Sequence, residues 1–267
     1  MLNLEAFESL LKTSISGRSS NNELWDSIDS TNARLLALAK DGAKEGTVVF
    51  ARAQSQGRGR QGRQWISPPD SGLYMSLLLR PEKPAAEIPA ITLAVGVACA
   101  KAILATTGVR IGLKWVNDLV YQGKKLGGIL AEMQMNSDRS AIVIGIGINI
   151  SFDAALIPEE LAHRIIWLDQ AAGTACDTNA LAAEICLQME DAYNRMMQGD
   201  VKAILDEWRA YSVTLGQEIV ASGTSKEFRG TAIDITESGA LLVQTATGTE
   251  EIFGGEISIR TRDGSYC

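Results

Sequence analysis

The chain contains 267 residues, of which 46% are hydrophobic and 21% charged, and its formal net charge is −7. This composition supports a large hydrophobic core and excludes a wholly disordered chain. The acidic balance also argues against general nucleic-acid binding, because phosphate contacts need a basic surface.

Predicted strands and helices alternate along the chain up to residue 213. The predicted helices are Leu2–Leu11, Ala33–Lys40, Ala85–Thr107, Asn179–Met197 and Val201–Tyr211. The predicted strands are 24–28, 47–53, 71–80, 109–115, 119–122, 125–135 and 141–150, and 157–173 is predicted to be irregular. The cluster Asp29-Ser30-Thr31-Asn32 supplies side chains that favour a helix N-cap, so the second helix is expected to follow it directly.

After Leu215 the pattern changes to short strands separated by turns, predicted at 218–221, 227–235, 240–245 and 250–259. Short strands at nearly even spacing predict a small β-barrel. We therefore predict an α+β fold with two domains, residues 1–213 and residues 214–267.

The cysteine and histidine content excludes several chemistries. The four cysteines form no C-x-x-C pair, and Cys99 and Cys186 lie in apolar helical patterns typical of core residues. The single histidine, His163, lies in a polar stretch that predicts a surface position, so a Ser-His-Asp triad is not expected. This cysteine usage is typical of the reducing cytoplasm, and no apolar run is long enough to predict a membrane span. Catalysis is expected to use Lys, Arg and Asp, and the sequence does not identify metal ligands.

A loop rich in glycine and arginine carries the first chemical signal. Gly57–Gly62 matches G-x-G-x-x-G, but Pro68 and Pro69 follow closely and deny the helix that a dinucleotide-binding motif requires. No acidic residue lies between Thr47 and Pro69, so the arginines of this loop predict an anion site. We expect the loop to be mobile without ligand and to become ordered over it. A solvated basic loop remains the alternative at this point.

A second cluster lies at a predicted strand end, Lys114–Asp118, where Lys, Asn and Asp follow one another. A tight hairpin through Gly123-Lys124 is expected to return Lys125 to the neighbourhood of Asn117 and Asp118. An exposed, merely charged hairpin tip is the alternative. Paired glycines at Gly127-Gly128 favour a site, because glycine inside a strand marks the close approach of another group.

Taken together, these segments resemble the catalytic domain of bacterial biotin protein ligases. The resembling stretches are Asp29–Asn32, Gln54 with Gly57–Trp65, Lys114–Asp118, Lys125–Leu130, Gly145–Asn149 and Gly254–Arg260. The resemblance implies a mixed central sheet flanked by helices, of the class II synthetase-like kind, followed by a small SH3-like barrel. It also implies ATP-dependent activation of biotin to biotinyl-5′-AMP and transfer of biotin to a lysine of a biotin carboxyl carrier protein.

The resemblance further implies roles for individual residues. Lys125, Arg60, Asp118 and Asn117 are expected to be catalytic. The expected biotin-binding residues are Ser30, Thr31, Asn32, Gln54, Arg58, Gly59, Arg60 and Lys125. The expected nucleotide-binding residues are Arg58, Arg60, Trp65, Lys114, Asn117, Asn149 and Arg260, with Trp65 covering the adenine.

Two departures from the family pattern stand out. Val116 occupies a position where the family usually has proline, and a strand is expected to tolerate it. The match begins at residue 29, so no DNA-binding module and no repressor activity are expected.

The cofactors expected from the resemblance are ATP and Mg²⁺, with biotin as substrate and a carboxylase carrier protein as partner. A lipoate or octanoate ligase is the alternative enzyme, and a regulator that binds biotin or nucleotide without reaction is the non-enzymatic alternative. A homodimer formed through exposed edges of the sheet that contains residues 141–150 is an option that the sequence leaves open, as it does the identity of the carrier.

Overall fold

The computed structural model describes residues 1–81, 90–135, 140–151, 163–222, 227–254 and 258–261. The predicted helix start at 85–89, the predicted turn at 136–138 and the Arg260 side chain lie outside the described residues.

A seven-stranded mixed sheet forms the centre of the larger module. Its strands are β1 (Glu23–Trp25), β2 (Val48–Ala51), β3 (Gly72–Leu79), β4 (Gly112–Lys114), β5 (Asp118–Tyr121), β6 (Lys124–Met135) and β7 (Ser140–Asn149). Their order in space is β1-β2-β3-β7-β6-β5-β4. Only β1 and β2 run parallel, and every other neighbouring pair is antiparallel. The predicted mixed central sheet is confirmed.

The position of β7 limits where a second copy of the chain could pair with the sheet. This strand pairs with β3 along one side and with β6 along the other, so it is interior to the sheet. The 141–150 segment therefore offers no free edge to a second copy of the chain. The sequence leaves this position open, because an apolar strand pattern indicates burial but not which strands lie beside it.

The helices pack around this sheet. They are α1 (Leu4–Leu10), α2 (Thr31–Lys40), α3 (Ile91–Thr107), α4 (Leu168–Ala172), α5 (Thr178–Met197) and α6 (Val201–Tyr211). The central helix α3 contacts α5, α6 and the sheet, which explains its almost continuous run of small and apolar residues. Cys99 and Cys186 are fully buried in this layer and His163 is exposed, as predicted. Within the described ranges, no helix combines the length and hydrophobicity needed to cross a bilayer.

Several element boundaries differ from prediction. The second helix begins at Thr31 because Ser30 is its N-cap, with its hydroxyl accepting from the Ala33 N–H. Strand β4 ends at Lys114, one residue before the predicted end, and Val116 lies in a turn rather than in a strand. The segment predicted to be irregular contains the short helix α4.

The smaller module is a five-stranded antiparallel sheet with an SH3-like fold. Its strands are β8 (Glu218–Ser222), β9 (Glu227–Ile235), β10 (Leu241–Thr245), β11 (Gly248–Ile252) and β12 (Ser258–Thr261), in the order β11-β10-β9-β8-β12. The single strand predicted at 250–259 is therefore two strands. Apolar residues of this sheet belong to the same core as the larger module, so the two modules pack as one body.

Trp115 joins the two modules at the turn between β4 and β5. The side chain is buried, and its indole Nε1 donates to the Gly239 carbonyl oxygen at 2.9 Å. Its backbone N–H donates to Thr214 Oγ1, also at 2.9 Å. On the other side of the interface, Arg209 of α6 donates to Asp234 and to the Ile235 carbonyl.

Trp115→Phe is expected to lower the free energy of unfolding by about 1–3 kcal/mol, because it leaves the buried Gly239 carbonyl unpaired. Urea denaturation measures the change. Trp25→Phe is the matched control, since Trp25 is partly exposed and its Nε1 donates to the neighbouring Glu23. The control should change stability by no more than about 0.5 kcal/mol. Equal effects of the two substitutions would contradict the assigned role.

Candidate functional site

A cavity of about 270 Å³ opens between the glycine/arginine loop and the faces of β6 and β7. Eleven predicted site residues line it: Ser30, Asn32, Gln54, Arg58, Gly59, Arg60, Trp65, Lys114, Asn117, Asp118 and Lys125. A wider recess of about 820 Å³ lies against residues 56–64 of the same loop and includes Val116 and Gly254. The sequence-predicted residues thus converge on one place although they come from segments far apart in the chain.

The glycine/arginine loop, residues 54–67, forms a small hairpin. The Trp65 N–H donates to the Gly57 carbonyl at 2.8 Å, and the Gly59 N–H donates to the Arg63 carbonyl at 2.7 Å. The short 3₁₀ turn Arg60–Gly62 forms its tip, with Gln61 in the left-handed region at φ 58°. A helix does not follow, as the two prolines predict. The expected ordering of this loop on ligand binding stays a prediction.

Lys125 and Asp118 form an ion pair on the floor of the cavity. Lys125 Nζ lies 2.6 Å from Asp118 Oδ1, and both side chains are largely buried. The β5–β6 hairpin brings them together, which confirms the predicted return of Lys125 to this turn. The ammonium group also lies 5.3 Å from the centre of the Trp65 ring, within cation–π range.

Arg60 lies opposite this pair. Its Nη1 donates to Asn117 Oδ1 at 3.0 Å, while Asn117 Nδ2 donates to the Ile129 carbonyl at 2.8 Å. Burial lowers the pKa of the Arg60 guanidinium from its ordinary value, with Asp118 opposing the shift and Arg63 adding to it. Burial makes the charged form of Arg60 costly. A second anion that enters beside the guanidinium would stabilise its charge.

The far wall of the cavity is polar and buried. The Thr31 N–H and hydroxyl both lie within hydrogen-bond distance of Gln54 Oε1, at 2.9 and 3.2 Å. Behind this wall, Ser76 Oγ lies 2.8 Å from Thr31 Oγ1 and 2.5 Å from Asn32 Oδ1. Gln54 Nε2 in turn donates to Ser67 Oγ at 2.9 Å, at the end of the loop. This wall suits a ligand with a compact polar group rather than a hydrocarbon chain.

Three glycines make room for these side chains. Gly128 and Gly147 lie directly opposite each other in the β6–β7 ladder, and the Trp65 indole lies against both. Gly145, two residues before, faces the Asn32 amide, which a Cβ at that position would overlap. The close approach predicted from Gly127-Gly128 is thus the approach of a tryptophan ring. Trp65 Nε1 is buried and has no hydrogen-bond partner in the described part of the chain.

Some predicted residues lie behind the cavity. Thr31 supports Gln54 rather than lining the space, and Asn149 donates through Nδ2 to the carbonyls of Lys125 and Ile166. Arg260 has its backbone in β12, beside Ile259, which does line the cavity.

Sequence reasoning missed Ser76, Glu132, Arg164 and Ile259. Glu132 accepts from both Asn32 and Arg58, and Arg164 lines the cavity while its carbonyl accepts the Lys125 N–H. One signal was available, since Ser76 is the only hydroxyl in the apolar run Met75–Leu79. A lone polar residue inside a buried strand needs a partner.

Comparisons with known proteins agree on a single family. Residues 24–149 match the Biotin/lipoate A/B protein ligase family, and residues 214–260 match the Biotin protein ligase C terminal domain. The Bifunctional ligase/repressor BirA of Bacillus spizizenii is 36% identical over 250 residues, which are 93% of this chain and 76% of that protein. The Biotin--[acetyl-CoA-carboxylase] ligase of Mycobacterium tuberculosis is 30% identical over 238 residues, 85% of each chain.

A solved structure of similar fold is the biotin protein ligase from Aquifex aeolicus in complex with biotin and ATP. It superimposes with a TM-score of 0.78 at 30% sequence identity, over 90% of this chain and 99% of that one.

Gly147→Ala is expected to displace the Trp65 indole, because the added Cβ would lie 2.6 Å from its Cε2 atom. The overpacking should cost about 1–3 kcal/mol of unfolding free energy and change the tryptophan fluorescence. Gly96→Ala is the control, since its Cβ would meet Leu113 at an ordinary 3.5 Å inside α3. That change should be neutral or stabilise the protein by about 0.5–1 kcal/mol. Unchanged stability and fluorescence in Gly147→Ala would disprove the contact.

Proposed function

This chain belongs to the biotin protein ligases, ATP-dependent enzymes of the biotin/lipoate A/B protein ligase family, and we propose that the cavity above Lys125 is where biotin reacts. In the first step a biotin carboxylate oxygen attacks the α-phosphorus of ATP. The bond to the β-phosphate breaks, and pyrophosphate leaves biotinyl-5′-AMP behind. In the second step a lysine amine of the carrier attacks the acyl carbon, loses a proton, and AMP leaves with the bonding pair.

One observation carries the residue assignment: the Lys125–Asp118 pair at 2.6 Å, with Arg60 and Asn117 facing it. The first step builds negative charge on the oxygens of the α-phosphorus, and the second builds it on the acyl oxygen and on the departing AMP oxygen. Fixed cations stabilise such charge best where water is excluded. We assign Lys125 and Arg60 to these oxygens. Asp118 orients the Lys125 ammonium, and Asn117 orients the Arg60 guanidinium.

The polar wall is assigned to the biotin ring. Ser30, Asn32 and Gln54 line it with hydroxyl and amide groups, Thr31 supports Gln54 from behind, and Arg58 with Gly59 lies at the rim. A ureido group offers donors and an acceptor to such a wall. A lipoyl or octanoyl chain would offer no hydrogen-bonding partner to these hydroxyl and amide groups, so their polarity supports biotin as the substrate.

The nucleotide is assigned to the side of the cavity nearer the smaller module. Trp65 offers its ring face to the adenine, and its buried Nε1 offers a donor. We also assign Arg58, Arg60, Lys114, Asn117, Asn149 and Arg260 to nucleotide binding, Asn149 acting through the strand that it supports. These six assignments rest on the resemblance together with the convergence of most of them on the cavity.

Mg²⁺ is proposed as the companion of ATP. Among the described residues no group of three carboxylate, histidine or cysteine side chains converges on a metal position. The Asp118 carboxylate fits a magnesium ion that takes its other ligands from phosphates and water. When bound there, Mg²⁺ would neutralise phosphate charge.

Wider proposals follow from the family. We propose that the acceptor is a biotin carboxyl carrier protein of a carboxylase. We also propose that the enzyme acts in the cytoplasm without a role for DNA, and that its functional domains are residues 1–213 and 214–267. A homodimer that extends the larger sheet by strand pairing would have to use β1 or β4, because β7 is interior.

Lys125→Ala is expected to lower the rate of biotin-dependent pyrophosphate release by about 10²- to 10³-fold, since it removes a fixed charge from the transition state. Biotin binding measured by calorimetry should persist, because the polar wall is intact. The unchanged enzyme should release pyrophosphate with biotin but not with lipoate. Lipoate turnover would overturn the substrate assignment, and normal turnover in the variant would overturn the role of Lys125.

Arg60→Gly is expected to release biotinyl-5′-AMP about 10- to 100-fold faster, because the variant loses one charge-assisted hydrogen bond to the intermediate. Rapid filtration after a chase with unlabelled biotin measures the escape. Lys40→Ala, at the exposed end of α2, is the control and should retain the intermediate as the unchanged enzyme does. Retention by Arg60→Gly at the same level would contradict the assignment.

A further inference from the structure

A chain of hydrogen bonds runs behind the cavity and joins its polar wall to the glycine/arginine loop. Its members, in order, are Gln54, Thr31, Ser76, Asn32, Glu132 and Arg58, and the Thr31 backbone N–H makes the first of these bonds. The first and last members both belong to the loop segment 54–67. The four members between them come from α2, β3 and β6, which are rigid elements of the larger module.

Glu132 is the member that connects the wall to the loop. Its Oε2 accepts from Asn32 Nδ2 at 2.7 Å, and its Oε1 lies 3.3 Å from Arg58 Nη1. One carboxylate therefore uses one oxygen for a buried amide and the other for a loop guanidinium. From these contacts we infer that Glu132 is a positioning residue. It holds Arg58, and with it the loop, in a fixed position relative to the polar wall assigned to biotin.

The Asn32 end of this connection is rigid. Asn32 Nδ2 donates to the Leu130 carbonyl as well as to Glu132, and Oδ1 faces the buried Ser76 hydroxyl. A flipped amide would place its oxygen against the Glu132 carboxylate, so only one orientation is favourable. The bare face of Gly145 allows the amide to lie this deep.

The Arg58 end is looser and is the end that Glu132 must hold. The Arg58 side chain is 47% exposed and that of Glu132 is 27% exposed. An exposed ion pair ordinarily gains little, because two long side chains must be ordered to form it. Asn32 already orders the Glu132 carboxylate here, so pairing with Arg58 orders only one further side chain.

The connection has a direct consequence for the reaction, and it rests on the function proposed above. Arg58 at the rim is pre-oriented before ligand arrives, which lowers the cost of closing the loop over the acyl-adenylate. Loss of the Glu132 charge should therefore loosen the loop even in the ligand-free protein and shorten retention of the intermediate. It should leave the chemistry at Lys125 nearly unchanged.

The test uses Glu132→Gln in the full chain, because glutamine keeps the shape and an acceptor for Asn32 but removes the charge that holds Arg58. Escape of biotinyl-5′-AMP should become about 3- to 10-fold faster. Single-turnover pyrophosphate release should stay within about 2-fold of the unchanged enzyme. In ligand-free protein, hydrogen exchange should accelerate at the Gly59 and Trp65 amides, which the loop hairpin protects.

Two further variants separate positioning from simple loss of stability. Glu23→Gln breaks a 2.6 Å pair with Arg34 on the edge strand β1 and should change neither loop exchange nor escape. Ser76→Ala removes a fully buried hydroxyl that touches neither loop nor cavity, and it should still accelerate loop exchange through Asn32. In an Arg58→Ala background, Glu132→Gln should have no additional effect on escape.

The outcomes distinguish this inference from the proposed function. Failure of the unchanged enzyme to form biotinyl-5′-AMP would overturn the function, while ligand-free exchange would still test the connection. If Glu132→Gln left hydrogen exchange of the loop amides unchanged and did not accelerate escape of biotinyl-5′-AMP, the connection alone would be overturned. Equal acceleration of exchange in Glu23→Gln would also overturn it.

Discussion

The site depends on the places where the β6–β7 ladder carries no side chains. Gly128 and Gly147 are direct partners in that ladder, and Gly145 pairs with Leu130 two positions further. The Trp65 ring occupies the space above the first pair, and the Asn32 amide occupies the space above Gly145. Both the loop and the polar wall therefore pack against the same glycine-lined part of the sheet. A Cβ at either position would push one of them away and open the cavity.

The charged side chains that line the cavity explain why it favours anionic substrates. The chain is acidic overall, yet Arg58, Arg60, Lys114 and Lys125 converge here, with Asp118 and Glu132 as the lining carboxylates. Each carboxylate has a positional role: Asp118 pairs with Lys125, and Glu132 pairs with Arg58. Among the described lining residues, cationic side chains outnumber carboxylates, which favours the entry of an anion. Biotin carboxylate and the phosphates of ATP supply that charge.

Sequence predicted those parts of the site that depend on neighbours in the chain. The turn between β5 and β6 is local, so the meeting of Lys125 with Asp118 followed from spacing alone. Ser76 and Glu132 could not be assigned this way, because their partner Asn32 lies 44 and 100 residues away. The position of β7 escaped prediction for the same reason. An apolar strand in the interior and one at a covered edge have the same pattern, and only the register of distant strands distinguishes them.

The smaller module takes part in the site through the turn that carries Asn117. Trp115 begins this turn and is held by Gly239 and Thr214, and Gly254 lies against Val116 on the same side. The turn is therefore fixed by the smaller module on one face and by the Asn117–Ile129 hydrogen bonds on the other. Because Arg60 donates to Asn117, a shift of the smaller module would move the hydrogen-bond partner of the Arg60 guanidinium. A boundary near residue 214 thus separates two patterns in the sequence, while the geometry around Arg60 depends on both modules being packed together.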